Sequence, residues 1–169
     1  ITGFTSATVV AATTQVNFAD TSAKTDWKLG AFSGTTGHPS CVSFFEQRLV
    51  FAGTIAEPQT LYFSKAGDYE NMTTGTNADD AMVYTIASNQ VNRIRYLKSV
   101  RTLIVGTTGG EFTVSADGTD AAVTPTNIVI KKQSSYGTAN VDAQPAGSSI
   151  LFLQKAKRKI RELTYNFDV

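Results

Sequence analysis

The chain has 169 residues and a formal net charge of +1, a size that suits one domain or a closely packed pair and a balance that excludes strong general attraction to nucleic acid or acidic membranes. Hydrophobic residues supply 41% and charged residues 17%, which excludes a disordered chain, and the surplus of Thr, Ser, Gly and Ala points to strands and turns. The single cysteine, Cys41, excludes an internal disulfide and a cysteine-based zinc site, and no run reaches the roughly 18 apolar residues of a membrane-spanning helix.

Residues 1–26 are dominated by Thr, Ala, Ser and Val, and "ATVVAATTQVNFAD" has room for one or two strands but little large apolar mass. The chain starts at Ile1 with no signal-peptide pattern, and the expectation is processing or excision from a longer protein. Residues 27–40 are punctuated by Gly30, Gly34, Gly37 and Pro39 and read as a loop with apolar anchors Trp27, Leu29 and Phe32. Residues 1–37 are therefore expected to form an extended arm, and 38–169 a β-domain.

From Cys41 onward, short β-branched and aromatic runs alternate with turn chemistry. Strands are predicted at 41–46, 48–53, 60–64, 82–87, 92–98, 101–106, 111–115, 127–132, 149–155 and 159–166. In the last, Ile160, Glu162 and Thr164 fall on one face and Arg161, Leu163 and Tyr165 on the other. No stretch longer than ten residues holds a helical period. Segment 66–72 could make one helical turn after Gly67, and Cys41, inside "CVSFF", is expected to be buried and inert.

"RLVFAGT" at 48–54 and "RTLIVGT" at 101–107 share Arg, Gly and Thr at an offset of 53, with a looser third copy at 148–166. A strand triplet recurring at such a period marks stacked small sheets, because one twisted sheet cannot bury both of its faces alone. Two or three units are too few to close a ring of about 4–8 blades. The expected fold is all-β: propeller-like stacked small antiparallel sheets, either a partial propeller or a sandwich.

Catalytic patterns are missing. His38, the single histidine, lies in the loop "GTTGHPS", and no GxSxG elbow occurs. "GTTGGE" at 106–111 lacks the Lys-Ser/Thr of a phosphate loop and reads as a hairpin turn. The clusters "NADD" at 77–80 and "SADGTD" at 115–120 do not fit a calcium loop. No cofactor is expected and no enzyme is indicated. The densest charge feature is Lys155, Lys157, Arg158, Lys159 and Arg161. It reads as a solvated hairpin tip or protected edge, or more sharply as a contact for a neighbouring subunit or DNA.

Residues 38–72, "HPSCVSFFEQRLVFAGTIAEPQTLYFSKAGDYENM", resemble a segment of the tail nozzle, or tail tubular protein B-like, family of short-tailed bacteriophages. Arg48, Leu49, Phe51, Gly53, Thr54, Pro58, Gln59, Thr60, Ser64, Lys65, Gly67, Asp68, Tyr69 and Asn71 match the family pattern. The chain departs from it at His38, where an aromatic is expected, and at Met72, where Phe is. Weaker similarity runs through 94–114, 123–128 and 150–168, about 130 residues in all. The resemblance implies a structural virion protein in the phage tail, part of a ring below the portal that conducts DNA. It implies partners too: further copies in a six-fold ring, portal or adaptor and other tail proteins, and transient non-specific contact with DNA, with no membrane.

Physically, Gly53 and Gly67 permit turns and Pro58 stiffens a connection. Arg48 is expected either to pair with Asp68 or Glu70 or to stand exposed, and Phe63 and Tyr69 are expected in the core. The rival readings are a receptor- or glycan-binding β module, marked by Trp27, Phe32 and Tyr136 on one loop face, and a hydrolase acting through carboxylates.

Overall fold

A computed structural model describes residues 3–6, 9–11, 13, 22, 31–118 and 121–164. The chain divides into two compact units, Ile1–Gly30 and Ala31–Val169. In the first, β1 (Gly3–Ser6) and β2 (Val9–Ala11) pair antiparallel, with a register shift between Phe4 and Ser6. The anchors Trp27 and Leu29, and Tyr165 of the last predicted run, lie outside the described residues. Phe32 belongs to the second unit, where its ring packs edge-on against Phe51 and Tyr62.

The second unit is all-β, three small antiparallel sheets that do not close into a barrel. The first sheet is a meander of β3 (Cys41–Phe45), β4 (Arg48–Ala52), β5 (Thr60–Phe63) and β6 (Met82–Thr85). The second repeats that order with β7 (Ile94–Ser99), β8 (Leu103–Thr107), β9 (Gly110–Ala116) and β10 (Ile128–Ser134). The third has β11 (Gln144–Ala146), β12 (Ser149–Leu153) and β13 (Ile160–Thr164). All ten predicted runs from Cys41 onward are strands, displaced by a residue or two at their ends. The strand that sequence patterning does not show is β11. It is three residues long with Pro145 at its centre, and it survives because it is an edge strand whose proline owes no hydrogen bond to the outside. Segment 66–72 forms successive turns instead of a helical turn. There the Gly67 amide donates to the Gln47 carbonyl (2.8 Å), which ties the segment to the β3–β4 turn.

Alternation within the strands explains the stacking. Cys41, Phe45, Val50, Ala52, Leu61 and Phe63 of the first sheet meet Ile94, Leu97, Leu103, Val105, Phe112 and Val114 of the second in one core. The opposite face of the second sheet presents Tyr96 and Ile104 to Ile150 and Phe152 of the third, with Ala143 in the same cluster. Each fully buried aliphatic or aromatic side chain is worth roughly 1.5–3 kcal/mol. Residues matched by the sequence echo, Val50 with Leu103 and Ala52 with Val105, come from different sheets into the first core.

Two glycines set the spacing. Gly53 (φ +75°) lies so close to the second sheet that a Cβ would stand 3.0 Å from the Ile94 carbonyl oxygen and 2.6 Å from Ser40 Oγ. Gly106 lies under the Tyr96 ring, which would overlap any side chain there. Tyr96 and Gly106 are register partners, so the missing Cβ lets the ring lie across the sheet within the cluster shared with the third sheet. Gly106→Ala should therefore lower unfolding free energy by about 1–3 kcal/mol, the range for overpacking a core. Gly34→Ala, where no atom lies within 4 Å of the new methyl group, should leave stability unchanged. Urea denaturation of both variants checks the contrast.

Candidate functional site

The block 38–72 folds into most of the first sheet, and several of its matched residues bind backbone groups within the block and beyond it. Arg48 opens β4 from the two-residue turn Glu46–Gln47, whose positive φ values (45° and 58°) suit a tight hairpin. Arg48 is 2% exposed. It forms no ion pair with Asp68 or Glu70, contrary to the sequence expectation, and it is not exposed either. Nη1 donates to the carbonyls of Ser64 (2.8 Å), Asp80 (2.7 Å) and Asp79 (3.3 Å), and Nη2 donates to that of Ala78 (2.6 Å). The guanidinium thus satisfies the backbone of a long loop that has little apolar mass of its own. Burial pulls its pKa below the usual arginine value, and the nearby carboxylates of Asp79, Glu46 and Asp80 oppose that shift.

The other matched positions are also architectural. The Pro58 carbonyl accepts from the Ile94 amide (2.9 Å), which joins the β4–β5 loop to the start of β7. Gln59 Nε2 donates to the Ile86 carbonyl (3.0 Å), and the Gln59 carbonyl accepts from the Ile86 amide (3.0 Å). Gly67 takes a φ of +73° and Asp68 bridges back to Lys65. Phe63 is fully buried as expected, but Tyr69 is 44% exposed and packs edge-on against Phe44 on the outer face of the sheet. Asp68 and Tyr69 belong to a solvent-facing turn, where a core position was not available to the tyrosine.

Two clefts border this framework. One, of about 450 Å3, is lined by Glu46, Gln47, Arg48, Ala66, Asp79 and Val123. Two of its charged groups are engaged: Glu46 Oε2 accepts from the Val123 amide (2.6 Å), and the Arg48 guanidinium is spent on carbonyls. The other, of about 230 Å3, lies where β3, β7 and the approach to β11 converge, and Cys41, Arg95, Tyr96, Lys98 and Asp142 line it. Lys98 Nζ pairs with Asp142 Oδ2 (2.6 Å) and Arg95 Nη1 donates to Asn140 Oδ1 (3.3 Å). Burial pushes the Cys41 thiol pKa up, so the sulfur is the inert core group that the sequence suggested. Among the described residues, no group of three or more His, Cys, Asp or Glu side chains is placed to hold a metal ion.

The basic run divides. Lys155, Lys157, Arg158 and Lys159 are exposed on the β12–β13 hairpin tip, where Lys157 adopts a φ of +57°. Arg161 leaves the run. It sits in β13 opposite its register partner Phe152, with its guanidinium 3.8 Å above the Tyr136 ring. Tyr136 is therefore engaged by the third sheet and Phe32 by the first, and they do not form one aromatic face.

Sequence reasoning missed Glu111. Its side chain is fully buried in β9, where Ser134 Oγ donates to Oε2, while Oε1 and the Tyr96 hydroxyl have no partner. No local signal marked it: in "EFTVS" Glu111 falls on the polar phase of the alternation with Thr113 and Ser115, which reads as a solvent-facing side. Burial raises the Glu111 pKa above the ordinary 4.5, with hydrogen bonds from Ser134, Gly137 and Tyr136 opposing the shift. No family model matches the chain, and no curated protein matches it.

Arg48→Met should cost roughly 3 kcal/mol or more, because four carbonyls lose their donor, and Arg48→Lys should recover only part of that loss. Thermal unfolding of the two variants reads the difference. For Glu111, the folded state binds more protons than the unfolded state between pH 4.5 and the raised pKa, so its contribution to stability falls as pH rises through that window. Glu111→Gln should flatten this part of the stability–pH curve, measured by urea unfolding at successive pH values.

Proposed function

We propose that this chain is a structural component of a bacteriophage tail, a nozzle or tail tubular element in a multi-subunit ring below the portal. One observation supports this reading best: several residues of the 38–72 block that match the nozzle family serve rigidity. Arg48, Pro58, Gln59 and Gly67 each stitch a loop to a strand, a turn or the next sheet through backbone hydrogen bonds. Such stitching suits a part that must bear load and does no chemistry. Charged side chains bordering the two clefts are spent on backbone groups or on each other, as Arg48 is on loop carbonyls, Glu46 on Val123 and Lys98 on Asp142.

In this reading the stacked sheets give stiffness, the loops at the sheet ends meet neighbouring subunits, and DNA passes the assembled ring without sequence-specific contact. The glycan-binding alternative draws less support, because Phe32 and Tyr136 pack against different sheets.

The test is co-assembly. Mixed with the purified portal and adaptor proteins of a short-tailed phage that encodes this sequence, the chain should join a ring visible by negative-stain electron microscopy, with a mass increment of several copies. A chain that stays apart from the portal complex at every ratio tried overturns the assignment.

A further inference from the structure

The three sheets share one orientation, and that orientation sorts the charges. In each four-stranded meander, the turn between the first and second strands lies at the same end as the loop between the third and fourth. Contacts align these ends across sheets: Glu46 in the β3–β4 turn accepts from Val123 in the β9–β10 loop (2.6 Å). At the opposite end, the Pro58 carbonyl meets the start of β7, and Thr138 donates to Thr107 (2.8 Å) while Lys155 donates to Gly137 (2.9 Å).

The end holding the β3–β4 turn and the long loops 64–81 and 117–127 is anionic. Among the described residues it displays Glu46, Asp68, Glu70, Asp79, Asp80 and Asp117. The cations at this end outside the strands are Lys65, which pairs with Asp80 (3.0 Å) and reaches Asp79 (3.8 Å), and Arg101 in the β7–β8 turn. The opposite end holds the β12–β13 tip with Lys155, Lys157, Arg158 and Lys159, and Arg93 before β7. Against those cations stands Glu57, which accepts from the Tyr62 hydroxyl (2.6 Å), while Asp142 is neutralised by Lys98 near the far end of β7. Within a chain whose net charge is only +1, the described part of the second unit thus has two ends of opposite sign.

We propose that copies of this chain associate head to tail, the cationic end of one seated on the anionic end of the next. The occupant is a second copy because one molecule carries both complementary surfaces. Asp68, Glu70 and Asp117 at one end, and the four cations of the hairpin tip at the other, lie on exposed turns. Such a contact is heterologous, so it builds a ring where its rotation closes and a filament where it does not. Exposed charges make the contact sensitive to salt, since screening at about 0.5 M leaves a Debye length of only a few ångströms. The inference deepens the ring reading by naming the surfaces through which copies meet, and its test uses the purified chain alone, so its failure is distinguishable from a failure to join the portal complex.

Sedimentation velocity of the purified chain tests it. At about 20 mM salt the chain should sediment as oligomers, and at about 500 mM as monomer, with the dissociation constant rising more than about tenfold. The combined variant K155E, K157E, R158E and K159E should be monomeric at low salt. So should the combined variant D68K, E70K and D117K. An equimolar mixture of the two should associate again, because one now has two anionic ends and the other two cationic ends. Circular dichroism of each variant establishes that it is folded, and the salt series on the unaltered chain stands without them. A monomer at all salt concentrations, oligomers that resist salt, or a mixture that fails to re-associate from folded variants overturns the proposal. So does a chain that binds a DNA duplex at low salt but not itself.

Discussion

A small antiparallel sheet has two faces, and the sheet formed by β7–β10 buries both. Everything else in the second unit follows from that constraint. Leu103 and Val105 face one way and Ile104 the other, so a run with no polar interruption inside it can serve two cores at once. Such a sheet has no stable solvent-facing side and must be flanked. The flanking sheets each bury one face and leave the other partly open, which is why Val42 and Phe44 on the first and Ile160 on the third remain exposed, at 59%, 60% and 74%. The stack is stable from the middle outward.

Loops pose the complementary difficulty. The connection between β5 and β6 has too few apolar residues to pack as a core, and its carbonyls would be stranded where it folds against the β3–β4 turn. Arg48 solves this from the strand side, by donating hydrogen bonds to the carbonyls of Ser64, Ala78, Asp79 and Asp80. Arginine can do so because its planar guanidinium keeps its charge when buried and presents donors in fixed directions. A carboxylate partner would have satisfied the charge but left the loop backbone unpaired.

This division marks what the sequence could and could not reveal. Strand positions were legible because period-two alternation and β-branched composition are local properties, and even the doubly buried β8 reads as "LIVGT" between turn signals. The role of Arg48 was not legible. Its partners are main-chain atoms 16 to 32 residues away, and no side-chain type announces them. Tyr69 illustrates the reverse error: an aromatic in a turn looks like core until the turn is placed, and here it faces outward against Phe44. Pro145 hid β11 because a proline argues against a strand unless the strand is known to lie at an edge.

Charge polarity was the least legible property, and the reason is topological. Along the chain, acids and bases alternate in modest clusters whose sum is near zero, so composition reports a neutral protein. A meander returns to the same end at every second turn. Loops 64–81 and 117–127 therefore share one end although they lie far apart in sequence, and the tip at 154–159 lies at the other. Stacking three meanders in one orientation converts a linear alternation of charge into two ends of opposite sign. A single sheet would show only a weak version of this asymmetry, because each four-stranded meander supplies one long loop to the anionic end. The polarity thus depends on the doubly buried middle sheet, which holds the other two in register and so decides which loops become neighbours.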